Sequence, residues 1–117
     1  KIMKKKNNKT PIYTADQVFA IAKLLDQVFN LFPATTQEQK AIRSIAFELE
    51  EKFSKKRKEL IKSNNLFEQG KTHKLTLKFH EELALLKIIS SLLDTVNDPK
   101  PKNDLRIVLN YLGEKLA

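Results

Sequence analysis

A chain of 117 residues, 41% hydrophobic and 31% charged, is long enough for one domain around a single core and too apolar to remain unfolded. It has no Cys, which excludes disulfides, thiolate metal sites and cysteine nucleophiles. The net charge of +8 is uneven: residues 1–13 hold five lysines and no acid, so the remainder is only mildly basic. Gly occurs twice and Pro four times, and the abundance of Leu, Ile, Lys, Glu and Ala favours helix throughout.

Residues 1–13, which open KIMKKKNNK, read as a basic flexible tail, with Lys1 and Ile2, ahead of Met3, set aside from functional reasoning. No apolar run follows its lysines, as a secretory signal would require, and no window of about 18 residues is apolar and uncharged. These features, together with the missing Cys, point to a cytoplasmic chain without a membrane span.

A single helical domain is expected over 14–117. Its first helix, at about 14–32, opens on Thr14 and Gln17 as a capping box and carries Val18, Ile21, Leu25, Val28 and Phe32 at 3,4 spacing. Pro33 ends it. Thr35 with Glu38 forms a second capping box for a helix over about 36–63, whose inner face is Ile42, Ile45, Leu49 and Phe53. At about 1.5 Å per residue this helix is roughly 42 Å long, so it overhangs its partner, bends or breaks.

Residues 74–79 alternate apolar and polar, the pattern of a short extended segment, and a small hairpin with 65–69 is one way to pair it. A third helix covers about 79–96, with ten of 18 residues apolar. Asn97 to Lys102, with two prolines, is a breaker, and Asn103 caps a fourth helix at about 103–116. The expected fold is all-α, a four-helix bundle-like domain of two helical hairpins. Residues 42–53 align with 105–116 at Arg, Leu, Glu and Lys, which raises an internal duplication related by a pseudo-two-fold axis; any two Lys/Glu amphipaths also align to a similar degree.

Little in the chain carries chemistry. His73 and His80 lack further ligands at a metal-binding spacing, and Glu81 and Glu82 read as acids favoured by the dipole at a solvated helix start. No phosphate-binding glycine loop or nucleophile elbow is present, and no catalytic residue, metal or cofactor is assigned.

Two surfaces remain. Lys52, Lys55, Lys56, Arg57, Lys58 and Lys62 form a block able to contact nucleic acid, although Glu59 dilutes it and no aromatic interleaves. The chain's three arginines argue against sequence-specific reading. Leu24, Leu31, Leu85, Ile88 and Leu92 stand outside the main apolar stripes and suggest self-association, a homodimer being favoured. The leading expectation is a non-enzymatic, self-associating protein-interaction module whose protein partner is unknown. The alternative is a nucleic-acid-binding protein using the 52–62 block and the basic tail.

Overall fold

The computed structural model describes residues 12–63 and 71–117; most of the expected basic tail and the 65–69 hairpin segment lie outside them. The fold is all-α apart from a two-stranded sheet. In chain order it runs β1 (Ile12–Thr14), α1 (Ala15–Asp26), a single turn α2 (Val28–Leu31), α3 (Gln37–Lys62), β2 (Thr72–Lys74), α4 (Phe79–Leu92), a 3-10 turn (Leu93–Thr95) and α5 (Pro99–Lys115).

The Thr14 capping box forms as expected. Gln17 N–H donates to the Thr14 hydroxyl at 3.2 Å, and Thr14 N–H donates to Gln17 Oε1 at 3.0 Å. The first helix is shorter than its hydrophobic pattern. It breaks at Gln27, whose N–H turns back to Leu24 O at 2.9 Å, and the last turn ends on extended Phe32, which Pro33 forces out of the helical region.

The second cap lies one residue later than expected, at Thr36 with Gln39 rather than Thr35 with Glu38. In this register one amide oxygen, Gln39 Oε1, accepts from Thr35 N, Thr35 Oγ1 and Thr36 N at 2.9–3.1 Å, so three donors are satisfied together. Glu38 instead pairs with Lys87 at 3.2 Å.

The expected fourth-helix start is corrected more strongly. α5 begins at Pro99, capped by Asp98, whose carboxylate accepts from Lys100 N at 3.3 Å; Asn103 lies well inside it. First-turn N–H groups have no intrahelical acceptor, so prolines there sacrifice nothing and preset φ. The residues that looked like a breaker therefore start the helix.

The extended segment is β2, two residues earlier than the alternation suggested. It pairs antiparallel with β1, in the register Ile12↔Lys74, Tyr13↔His73, Thr14↔Thr72. Ile12 and Tyr13 thus belong to the domain and not to the tail. A two-stranded sheet is marginal alone; here Tyr13 anchors it, being 1% exposed and set edge-on to Phe53 with centroids 5.6 Å apart.

α1 packs against α3 and α5, and α4 packs against the same two helices. The pairs Glu38–Lys87 and Lys52–Glu81 show that α3 and α4 run antiparallel. Val18, Ile21, Leu25, Leu49, Phe53, Leu85, Ile88, Leu105 and Leu112 converge in the core. Both halves run strand, short helix, long helix, the order a duplication calls for, although α3 has 26 residues and α5 only 17. Among the described residues no helix is long and apolar enough to cross a membrane.

Candidate functional site

The basic block does not form one surface. Lys52 turns to α4, where its ammonium donates to Glu81 Oε1 at 2.7 Å and to Thr76 O at 3.3 Å. Lys56 pairs with Glu59 at 3.5 Å, and Arg57 is half-buried on another side of the helix. Lys55, Lys58 and Lys62 are exposed and make no ion pair among the described residues. With Lys40, Ser44, Phe47 and Glu51 they follow the 3- and 4-residue spacing of one stripe along the outer face of α3, every member of which is exposed.

The apolar set expected to mediate self-association is corrected. Leu24, Leu85, Ile88 and Leu92 are all at most 4% exposed and belong to the core of a single chain. α4 lies between α3 and α5, so its surplus apolar residues are used within the chain. Leu31 alone stays open, at 45% exposure, on the rim of a cavity of about 300 Å³ between the end of α1 and the start of α5, lined also by Leu24, Gln27, Val96 and Leu105.

Sequence reasoning misjudged the start of α4. Glu81 and Glu82, expected at a solvated helix end, are 1% and 4% exposed, and each meets a lysine from a different long helix. Glu81 Oε1 also accepts from Lys78 N at 2.8 Å, the same backward reach that Gln17 makes to Thr14. Glu82 Oε2 accepts from Lys115 Nζ at 2.6 Å, with both side chains under one-tenth exposed. Lys115 lies 6.0 Å from the Tyr111 ring centroid. The Tyr13 hydroxyl is buried and has no hydrogen-bond partner among the described residues; burial, then the nearby charges of Glu82 and Tyr111, push its pKa up.

Burial pushes the Glu81 carboxyl pKa up, but the bonds from Lys52 and Lys78 N–H outweigh it and hold the group below its ordinary value of 4.5. The unfolded chain therefore binds this proton more readily than the folded one. The stabilisation from Glu81 is complete above the ordinary carboxylate range and is lost as pH falls through the depressed value. Glu81→Gln keeps the backbone cap, as Gln17 does, but removes the charge. Urea unfolding from pH 7 down to pH 3 is expected to show a shallower acid loss in this variant than in the parent chain; parallel curves would refute the assignment.

A second feature missed from the sequence lies where α2 meets α3. Phe47, on the outer stripe, is 63% exposed, and its ring stacks on Phe29 with centroids 4.4 Å apart. Arg43 donates to Phe29 O at 2.7 Å and sits 5.3 Å from the Phe29 ring centroid. Together with Ala34, Lys40 and Ser44 these residues line a depression of about 420 Å³ that contains two cations and no acid. The available signal was Phe47 itself, a large aromatic off the inner stripe of an amphipathic helix.

Comparison of the chain with protein-family models, with curated proteins and with solved structures finds no match.

Proposed function

We propose that this chain is a non-enzymatic helical module that binds a protein partner through the Phe29–Arg43–Phe47 face, and that the partner presents an acidic segment with an apolar anchor. The observation that carries the reading is an exposed aromatic set against a second ring: Phe47 lies 4.4 Å from Phe29, tilted by 32°, with Arg43 bonded to the Phe29 carbonyl. Aromatic and Arg side chains dominate interface energetics, and preorganised ones lose less entropy on binding. The lining supplies Lys40 and Arg43 without an acid, so a complementary surface is anionic. A second copy docked here by two-fold symmetry would bring like charges together, and Leu31 is the only member of the expected self-association set left open. The module is accordingly proposed as a monomer in search of a different chain.

The test is selection from a displayed random-peptide library, followed by calorimetry on the selected peptides. The expected peptides combine Asp or Glu with Phe, Trp or Leu, and Phe47→Ala weakens them by about tenfold or more while circular dichroism is unchanged. Peptides that bind Phe47→Ala as well as the parent would sink the proposal.

A second reading, nucleic-acid binding, is favoured by the exposed Lys40, Lys55, Lys58 and Lys62 along one side of α3. It predicts affinity for duplex DNA or RNA that falls steeply with salt, and the same calorimetry separates it from the first because Phe47→Ala would leave it nearly unchanged.

A further inference from the structure

Glu48 on α3 and His80 and Glu81 on α4 lie 32 and 33 positions apart in sequence, yet one ligand atom of each falls within 4.8 Å of the others. His80 Nε2 is 3.6 Å from Glu48 Oε1. We propose that these three residues form a binding site for a divalent first-row transition metal, with Zn²⁺ as the representative ion. The module function above neither requires nor supplies this site.

The donor set defines the class of ion. One imidazole with two carboxylates suits zinc and its neighbours, whereas magnesium and calcium prefer oxygen alone. Zinc–ligand bonds of about 2.1 Å place tetrahedral donors roughly 3.4 Å apart, so a spacing within 4.8 Å needs a contraction of at most about 1.4 Å. The residues that must move are able to do so: the side chains of Glu48 and His80 are 52% and 49% exposed, and both sit on rigid helices.

Glu81 is the fixed member. Its Oε1 is held by Lys78 N at 2.8 Å and Lys52 Nζ at 2.7 Å, an arrangement that orients the carboxylate. Lys52 is a competing cation, but it also reaches Thr76 O, so it can stay on Oε1 as an orienting partner without vacating the site. One ligand oxygen each of Glu48 and Glu81 lies within 4.8 Å of the other, a separation at which a dication bridges two ionised carboxylates more effectively than a single ammonium. Three protein ligands leave further coordination positions open towards solvent. Because α3 and α4 come from different halves of the chain, the ion would clip the halves together.

The full chain, freed of metal with a chelator and then dialysed, is titrated with Zn²⁺ and separately with Mg²⁺ by calorimetry, with thermal unfolding in parallel. One Zn²⁺ per chain, a raised Tm and no Mg²⁺ uptake are expected. His80→Ala and Glu48→Gln, both at exposed positions, should each weaken Zn²⁺ by about tenfold or more while the metal-free Tm stays unchanged. No Zn²⁺ uptake at millimolar metal, or equal uptake by His80→Ala, would overturn the assignment; in the latter case the ion sits elsewhere, with His73 the remaining histidine.

Discussion

Replacing Lys115 with Met is expected to destabilise the chain by roughly 3–5 kcal/mol, the cost of leaving a buried charge without its partner. The charge left behind is that of Glu82, 5% exposed, which loses a 2.6 Å bond and has Tyr13 nearby as a buried neighbour. A double variant, Glu82→Leu with Lys115→Met, should regain most of the loss, since a buried ion pair contributes little more than a well-packed apolar pair of similar volume. Urea unfolding of the two single variants and the double variant measures this. A Lys115→Met chain that unfolds at the parent's midpoint would show that Glu82 finds water and that the pair is not buried in solution. Lys115 is in the last turn of α5, so the same measurement reports whether the end of that helix is docked as firmly as its middle.

Leu85→Ala is expected to cost roughly 2–5 kcal/mol, the range for emptying a fully enclosed leucine site. Leu85 is 0% exposed at the centre of α4. The measurement separates two meanings of the same residue. As a core residue it lowers the unfolding midpoint at every protein concentration, with no change in mass by sedimentation. As an interface residue it would leave the midpoint of the single chain intact and change only association. Sedimentation with paired melts at two concentrations distinguishes them, and a Leu85→Ala chain that changes only in association, with the single-chain midpoint intact, would overturn the core assignment.

The error over these leucines has a physical source. A hydrophobic stripe states how much surface a helix must bury, not against what. Counting one stripe per helix left α4 with a surplus, but α4 contacts helices on two sides and needs two stripes. The long helix α3 was legible for the opposite reason. Its 26 residues run between a Thr-rich cap and a polar end, and the cap was misplaced by one residue only because Thr35 and Thr36 are equivalent until Gln39 selects between them.

The start of α5 was misread because proline was taken as a stop signal, whereas its effect depends on position. Before or within the first turn it costs nothing, and further along it breaks the helix. The pairing of β1 with β2 was beyond periodicity, since it joins segments about 60 residues apart. The alternation near residue 74 indicated extended chain and could not name its partner.

The candidate sites divide in the same way. The exposed lysines of α3 were visible as a charge run, and only the partners Glu81 and Glu59 revealed which of them remain available. Glu81 and Glu82 looked like ordinary first-turn acids. Their burial depends on the middle of α3, which brings Lys52, and the end of α5, which brings Lys115, packing against the start of α4. The meeting of Glu48 with His80 and Glu81 is likewise a consequence of two antiparallel helices packing at one height.

What the amino-acid order determined by itself is local: which segments are helical, where the first of them is capped, which face of each is apolar, and that no Cys chemistry is available. These follow from backbone hydrogen bonding and side-chain spacing within a few residues. What the tertiary structure alone decided is which apolar faces remain open and which charges are taken out of water. Both depend on neighbours tens of residues away, and burial, unlike helix propensity, is not a property of any single segment.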